Sequence, residues 1–365
     1  MAVFLHPIQT IVPEHYHHQE VTRDLMKSGL NGNDKTERLL NRIYAQSGID
    51  KRHTVIRDFN RNGEAPLFWD EQGCLLAKQP GTGRRNELYI KNARPMFRDA
   101  AWGALQKSPF SPGDVTHVIT VSCTGFFAPG PEYFIVRDLG LPATTQRYNI
   151  GFMGCYAAFP ALRMANDICR SNTDAVVLIA SVELCSLHMQ LHDDMDSIVS
   201  NSVFADGGAG LVVSAAEKGP LAIHGLRTDL TEHGEEDMAW ELGDQGFNMM
   251  LSSYVPKIIE ANVAKVVEQQ LTSSKLHFED IDYWALHPGG RAILDKIRNA
   301  LELSEDDLIY SRNVLKNYGN MSSATVLFVM QEILNSKPDT GNLMAAMAFG
   351  PGLTIESGIF EVTET

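Results

Sequence analysis

No stretch of the chain is apolar for long enough to cross a membrane, and the N-terminus lacks the basic segment and long apolar run of a secretory signal. A cytoplasmic protein is the expectation. Net positive charge is missing too. The formal net charge is −14, which argues against a general nucleic-acid binder while leaving room for a local basic patch that takes a small anion. The five cysteines form no CxxC pair, so neither a disulfide framework nor a zinc site is expected from them. A histidine-rich run, His15, Tyr16, His17 and His18, leaves a metal site open, with a polar, solvated helix start as the plainer reading. No linker rich in Pro, Gly or Ser divides the 365 residues, so any domains must pack closely.

The apolar pattern that is present reads as an α/β chain. Helical spacing predicts helices over Gln19 to Leu30, Lys35 to Ser47 and Ala93 to Gln106. A buried strand is predicted over Thr116 to Val121, a short strand over Arg147 to Phe152, and an apolar helix over Cys155 to Cys169. Ala175 to Val182 is continuously apolar, as expected of a strand covered on both faces, and Ala209 to Ser214 is a further strand. The second half repeats this order. Asp282 to Leu286 matches the Thr116 strand, the segment around Asn320 matches that around Cys155, Asn342 to Phe349 matches Ala175 to Val182, and Thr354 to Val362 matches the Ala209 strand. Two duplicated α/β halves are therefore expected, residues 1–217 and 218–365.

Three residues carry chemistry. Cys155 follows Gly154 and opens a predicted helix, where the helix dipole and free N–H groups favour a thiolate. Taken alone, an inert buried thiol is the plainer reading. His287 ends a predicted strand in His-Pro-Gly-Gly, at the kind of position where ligand chemistry collects in α/β sheets. Asn320 starts a helix at the position the repeat makes equivalent to Cys155. It serves there as a helix cap or as an amide donor to a developing oxyanion.

These residues lie in Gly-Cys-Tyr-Ala-Ala at 154–158, Phe-Ala-Asp-Gly-Gly at 204–208, His-Pro-Gly-Gly at 287–290, Gly-Asn-Met-Ser-Ser-Ala at 319–324 and Phe-Gly-Pro-Gly-Leu-Thr at 349–354. In these motifs, over nearly its full length, the chain resembles the chalcone-synthase-like (type III) polyketide synthases. The stretch Glu183 to His188 looks like their bacterial members. The resemblance implies a thiolase-like fold with a five-layered αβαβα core, a homodimer, and an acyltransferase that works on acyl-CoA and malonyl-CoA without a metal or other cofactor. It implies that Cys155 holds the starter acyl group, that His287 keeps the Cys155 thiolate ionised, and that His287 with Asn320 stabilises the enolate formed when malonyl-CoA loses carbon dioxide.

The resemblance also assigns the surroundings. Phe204 matches a gatekeeper aromatic. Met249 stands where the family often has the second gatekeeper phenylalanine, with Phe247 as a substitute if the loop shifts. Cys123, Thr124, Cys185, His188, Trp240 and Ser322 match cavity-lining positions, and Ala128 falls where plant members often place a methionine that reaches across the dimer. Arg42, with Lys51 and Arg52 as further candidates, and the Gly289–Gly290–Arg291 turn are implied in binding coenzyme A. The implied reaction is repeated decarboxylative extension followed by closure to an alkylresorcinol, an alkylpyrone or a related phenol. Malonyl-CoA priming of the tetrahydroxynaphthalene or phloroglucinol type, a single-round 3-ketoacyl synthase, and a non-catalytic scaffold that kept the fold are the rival readings.

Overall fold

The computed structural model of the chain describes residues 1–364 apart from 31–33, 61–65, 71, 73 and 77. The first half opens with the short strands β1 (Phe4–Leu5), β2 (Gln9–Ile11) and β3 (Tyr16–His18). Helices α1 (Gln19–Leu30) and α2 (Asp34–Gln46) precede β4 (Lys51–His53), which pairs with β3. The long helix α3 (Thr82–Gln106) leads to β5 (His117–Ser122), α4 (Pro131–Asp138) and β6 (Gln146–Gly151). Then come α5 (Ala158–Ser171), β7 (Val176–Leu184), α6 (Met195–Val203) and β8 (Asp206–Ser214). The second half begins with β9 (Leu221–Leu230), the separate hairpin β10 (Met238–Gly243) and β11 (Gly246–Leu251), and α7 (Val255–Ser274). It ends with β12 (Tyr283–Leu286), α8 (Arg291–Ala300), α9 (Ile309–Tyr318), α10 (Thr325–Asn335), β13 (Leu343–Gly350) and β14 (Thr354–Val362).

The strand pairings display the duplication. Along β5-β7-β8-β1 the contacts are parallel, antiparallel and antiparallel, and along β12-β13-β14-β9 they run in the same order. The two sets join where β1 bonds to both β8 and β9. The boundary expected at residues 217 and 218 falls in the connection between β8 and β9. Only the first half carries the extra edge strand β6; at the matching place Asn320 makes a single bridge to Phe204.

Alternation along the central strands explains the layers. In β7, Val177 and Ile179 point into a central core while Val176, Leu178 and Ala180 point into an outer one. In β13, Met344, Ala346 and Ala348 face the same central core, and Ala345, Met347 and Phe349 face a third. Helices α5 and α10 fill the centre, α3 covers one outer face, and α7 with α8 covers the other. Sheets apolar on both faces need helices on both faces, and five layers result. This is the thiolase-like arrangement expected.

Two expectations change. Helix α3 starts at Thr82, well before Ala93, and holds Pro95 in its interior. Tyr89, Ala93, Phe97 and Ala101 bury one face of it at helical spacing, which outweighs the missing proline N–H. The histidine run is no helix start. Tyr16–His18 is strand β3, and His17 is buried and stacked on Phe59 with centroids 4.2 Å apart. Among the described residues no group of His, Cys, Asp and Glu is placed to hold a metal.

Candidate active site

Strand β6 ends at Gly151, and the chain turns sharply toward α5. Phe152 and Gly154 take positive φ angles of 60° and 77°. A β-carbon at 154 would stand 2.5 Å from Cδ of Pro351, so glycine lets this turn and the Pro351 loop share the space. Gly154–Tyr156 forms one 3₁₀ turn, which places Cys155 just ahead of α5 rather than within it.

Cys155 is 3% exposed. Burial pushes its thiol up to about 11, with Ser322 and Asn320 opposing the shift in part. His287 continues the β12 ladder by donating its N–H to the Met347 carbonyl at 2.8 Å. Burial pushes its imidazole down to about 3, and neither ring nitrogen has a hydrogen-bond partner. Burial therefore works against the expected thiolate–imidazolium pair by disfavouring the charged form of each group. Removing water raises the free energy of each charged form, and no bond between the two offsets it. A thiol at about 11 is ionised in roughly one molecule in ten thousand at pH 7. Alkylation of Cys155 by iodoacetamide, read on its own peptide by mass spectrometry, is thus expected to keep accelerating from pH 7 to pH 9. A plateau already reached at pH 7 would show that His287 holds a thiolate after all.

Asn320 ties the halves together. Its N–H donates to the Val203 carbonyl and its carbonyl accepts from the Ala205 N–H, both at 2.8 Å. The side chain is fixed equally well: Oδ1 accepts from the Ser322 N–H at 2.9 Å and Nδ2 donates to the Gly289 carbonyl at 3.2 Å. Both Oδ1 and Nδ2 lie 3.9 Å from Sγ of Cys155. One Nδ2 hydrogen is occupied by Gly289, and the other points at Sγ of Cys155, from which an oxygen arriving beside the sulfur can take it over.

The chamber at Cys155 measures about 20 Å³, room for one or two waters. Of the residues expected to line it, Cys123, Thr124, Cys185, Phe204, Trp240, Met249 and Ser322 do so. Cys123 Sγ lies 3.2 Å from the Ser322 hydroxyl, and the Trp240 indole N–H donates to the Cys123 carbonyl at 2.7 Å. Phe247 does not line it. The hairpin register places Trp240 opposite Met249 and Leu242 opposite Phe247, and the Phe247 ring stacks on His188 at 3.9 Å. The unshifted register holds, with Met249 at the wall. His188 is displaced likewise. Its Nε2–H donates to the Thr124 carbonyl at 2.6 Å, its Nδ1 accepts from the Phe247 N–H, and burial lowers it to about 3, so it is a neutral strut.

Glu183 was not singled out from the sequence, although it is the one charged residue of strand β7. It is fully buried, and its carboxylate accepts from the Cys123 N–H at 2.9 Å and from the hydroxyls of Thr124 and Ser323. Burial raises its pKa against these bonds. It organises the wall that carries Cys123 and Thr124.

The coenzyme A candidates separate. Arg42 is exposed on α2. Arg291 opens α8 after the Gly289–Gly290 turn and packs beside Gly48, just beyond the end of α2, at the rim of a surface groove. Lys51 sits 5.3 Å over the Tyr16 ring. Arg52 points inward and is 4% exposed. Its Nη1 donates to the carbonyls of Asn201 and Phe204 at 2.8 and 2.6 Å, so it is not a surface contact for phosphate.

Comparison with known proteins agrees with this geometry. Residues 2–217 match the family model for the N-terminal domain of chalcone and stilbene synthases, and residues 225–363 match that for the C-terminal domain. The chain is similar to the alpha-pyrone synthesis polyketide synthase-like protein Pks18 of Mycobacterium tuberculosis. The two are 31% identical over 330 residues, 88% of this chain and 81% of that protein. The crystal structure of PKS-I from the brown alga Ectocarpus siliculosus superposes with a TM-score of 0.91 at 30% identity, covering 99% of this chain and 98% of that one. 1,3,6,8-Tetrahydroxynaphthalene synthase from Streptomyces coelicolor superposes with a TM-score of 0.89 at 26% identity over 99% and 100% of the chains.

Proposed function

The chain belongs to the chalcone and stilbene synthase family, the type III polyketide synthases, and from that premise we propose that it extends an acyl-CoA starter held on Cys155 with malonyl units and closes the product to an alkylpyrone. The observation that carries this reading is the Asn320 amide 3.9 Å from Cys155 Sγ and held by the Gly289 carbonyl, with the buried, unpartnered His287 ring packed at that same glycine turn.

The neutral His287 accepts the thiol proton as Cys155 attacks the starter carbonyl, and returns it to the departing coenzyme A thiol. The ring then offers one N–H. With the free Nδ2 hydrogen of Asn320 it holds the thioester oxygen of malonyl-CoA while carbon dioxide leaves and the enolate forms. The enolate carbon attacks the acyl thioester and expels Cys155, lengthening the chain by two carbons. These steps call for no metal or redox cofactor. Alkylresorcinol and malonyl-primed products use the same steps. The small chamber and the bulk of Trp240 favour few extensions, and the alpha-pyrone activity named for the Mycobacterium tuberculosis relative supports lactone closure.

Incubation with radiolabelled malonyl-CoA and a panel of starters is expected to release carbon dioxide and yield pyrones. Folded protein that does neither would overturn the reading. Trp240→Ala is expected to enlarge the chamber and shift the products to masses at least one two-carbon unit higher; an unchanged spectrum would remove Trp240 from chain-length control.

We also propose a homodimer formed along the exposed edge strand β6. Phe126 (52% exposed) and Phe152 beside it leave apolar surface open there. Light scattering is expected to return twice the 40.4 kDa chain mass, and a monomer would refute it.

A further inference from the structure

A second cavity lies behind the Cys155 chamber and shares Cys185, Phe204, Trp240 and Met249 with it as a common wall. It measures about 40 Å³, space for roughly three waters or one carboxylate group. Its far side carries His17, Thr22 and Arg52, and the polar atoms there are unsatisfied. Nε and Nη2 of Arg52, both ring nitrogens of His17 and Oγ1 of Thr22 are buried without a hydrogen-bond partner.

Arg52 is the unusual member. It is buried, and among the described residues no carboxylate forms an ion pair with it. Asp206, which acts on it electrostatically, is engaged by the N–H groups of Val55 and Ser186 and by the Ser186 hydroxyl. The Tyr44 hydroxyl interacts with the guanidinium but completes no hydrogen bond of good geometry with it. A buried cation without a counter-charge is costly. The Nε–Nη2 edge it leaves open is the edge that takes a carboxylate through two parallel hydrogen bonds. His17 and Thr22 add donors from the same side.

We propose that this cavity is a carboxylate-binding subsite, and that a starter carrying a carboxylate at the end remote from its thioester reaches it past Cys185 and Met249 from Cys155. The second clause rests on the reading of Cys155 as acyl acceptor. The subsite selects such starters over methyl-terminated ones of equal length, because a carboxylate supplies the counter-charge that Arg52 lacks and acceptors for its open donors and those of His17, and a methyl group supplies neither.

The test follows acylation of Cys155 by intact mass, using ω-carboxy acyl-CoAs from succinyl to suberoyl and the methyl-terminated acyl-CoAs of the same lengths. At one chain length the ratio of the ω-carboxy rate to the methyl rate is expected to fall about tenfold or more in Arg52→Met and in His17→Phe. His17→Phe keeps a ring against Phe59 and leaves the Arg52 bonds to Asn201 and Phe204 intact, so it decides the matter if Arg52→Met fails to fold. Variants that slow both starter classes by the same factor would overturn the subsite, as would a wild-type protein that favours methyl-terminated starters at every length. Titration calorimetry with free adipate separates the sources of the carboxylate. If no thioester acylates Cys155 but adipate binds wild type and not His17→Phe, the acyl-acceptor reading falls and the subsite stands for a free acid. Absence of both acylation and adipate binding overturns the subsite too.

Discussion

Cys155→Ala is expected to abolish transfer of the starter acyl group to the protein and to lower product formation by roughly 10⁴-fold or more, as loss of a covalent nucleophile does elsewhere. In the proposed reaction Cys155 is the nucleophile, in the position that the Gly154 turn aims, and Cys123 and Cys185, which also line the chamber, are poor substitutes. Both are buried, with thiols raised well above the usual range first by burial and then by the Glu183 charge. Removing a single sulfur from a small buried side chain leaves the helix and turn in place. The accompanying expectation is more diagnostic than the loss itself. His287 and Asn320 remain in Cys155→Ala, so malonyl-CoA is expected to lose carbon dioxide without forming product. Intact mass shows loading, and labelled carbon dioxide shows decarboxylation. Retained loading would move the nucleophile elsewhere, and loss of decarboxylation together with loading would mean that Cys155 is needed to build the malonyl site.

Asn320→Ala is expected to produce the opposite split. Deleting one oxyanion donor raises the barrier by about 2.7–4 kcal/mol, or about 10²- to 10³-fold in rate. The effect falls on decarboxylation and condensation, while acylation of Cys155 by the starter proceeds. The same substitution leaves the Ser322 N–H and the Gly289 carbonyl without their partners, at a cost of about 1–3 kcal/mol each in stability. A thermal melt is therefore recorded beside the kinetics. A variant that melts normally and decarboxylates at the wild-type rate would reduce Asn320 to a structural cap. His287→Ala, by contrast, is expected to impair both half-reactions, because in the proposed mechanism the ring moves the proton in the first and donates to the oxygen in the second.

Much of this site was legible in the chain. Cys155 stood out by a local feature, a glycine followed by cysteine at a strand-to-helix turn. The repeat then pointed to Asn320 as its counterpart, and each of the two lies on the chain between a pair of parallel-bonded strands, β5 and β7 in the first half and β12 and β13 in the second. The trio, the strands around it and the register that makes Met249 the wall residue were all within reach of pattern and motif. Arg52 shows where such reasoning stops. Beside Lys51 on a polar stretch it reads as a surface cation, yet the β3–β4 pair turns it inward against the Asn201 and Phe204 carbonyls. His17, next to it in space, reads as a solvated residue for the same reason.

By itself the sequence determined the period of each element, the glycines that permit sharp turns, and the identity and order of Cys155, His287 and Asn320. All of these depend on residues near one another along the chain. The tertiary structure alone decided that burial pushes the thiol up and the imidazole down, that Phe247 and His188 stack away from the chamber, that Glu183 braces its wall, and that Arg52 keeps two free donors behind it. Those outcomes depend on how far water is excluded and on which distant groups meet, and desolvation is a property of the packed layers rather than of any segment within them.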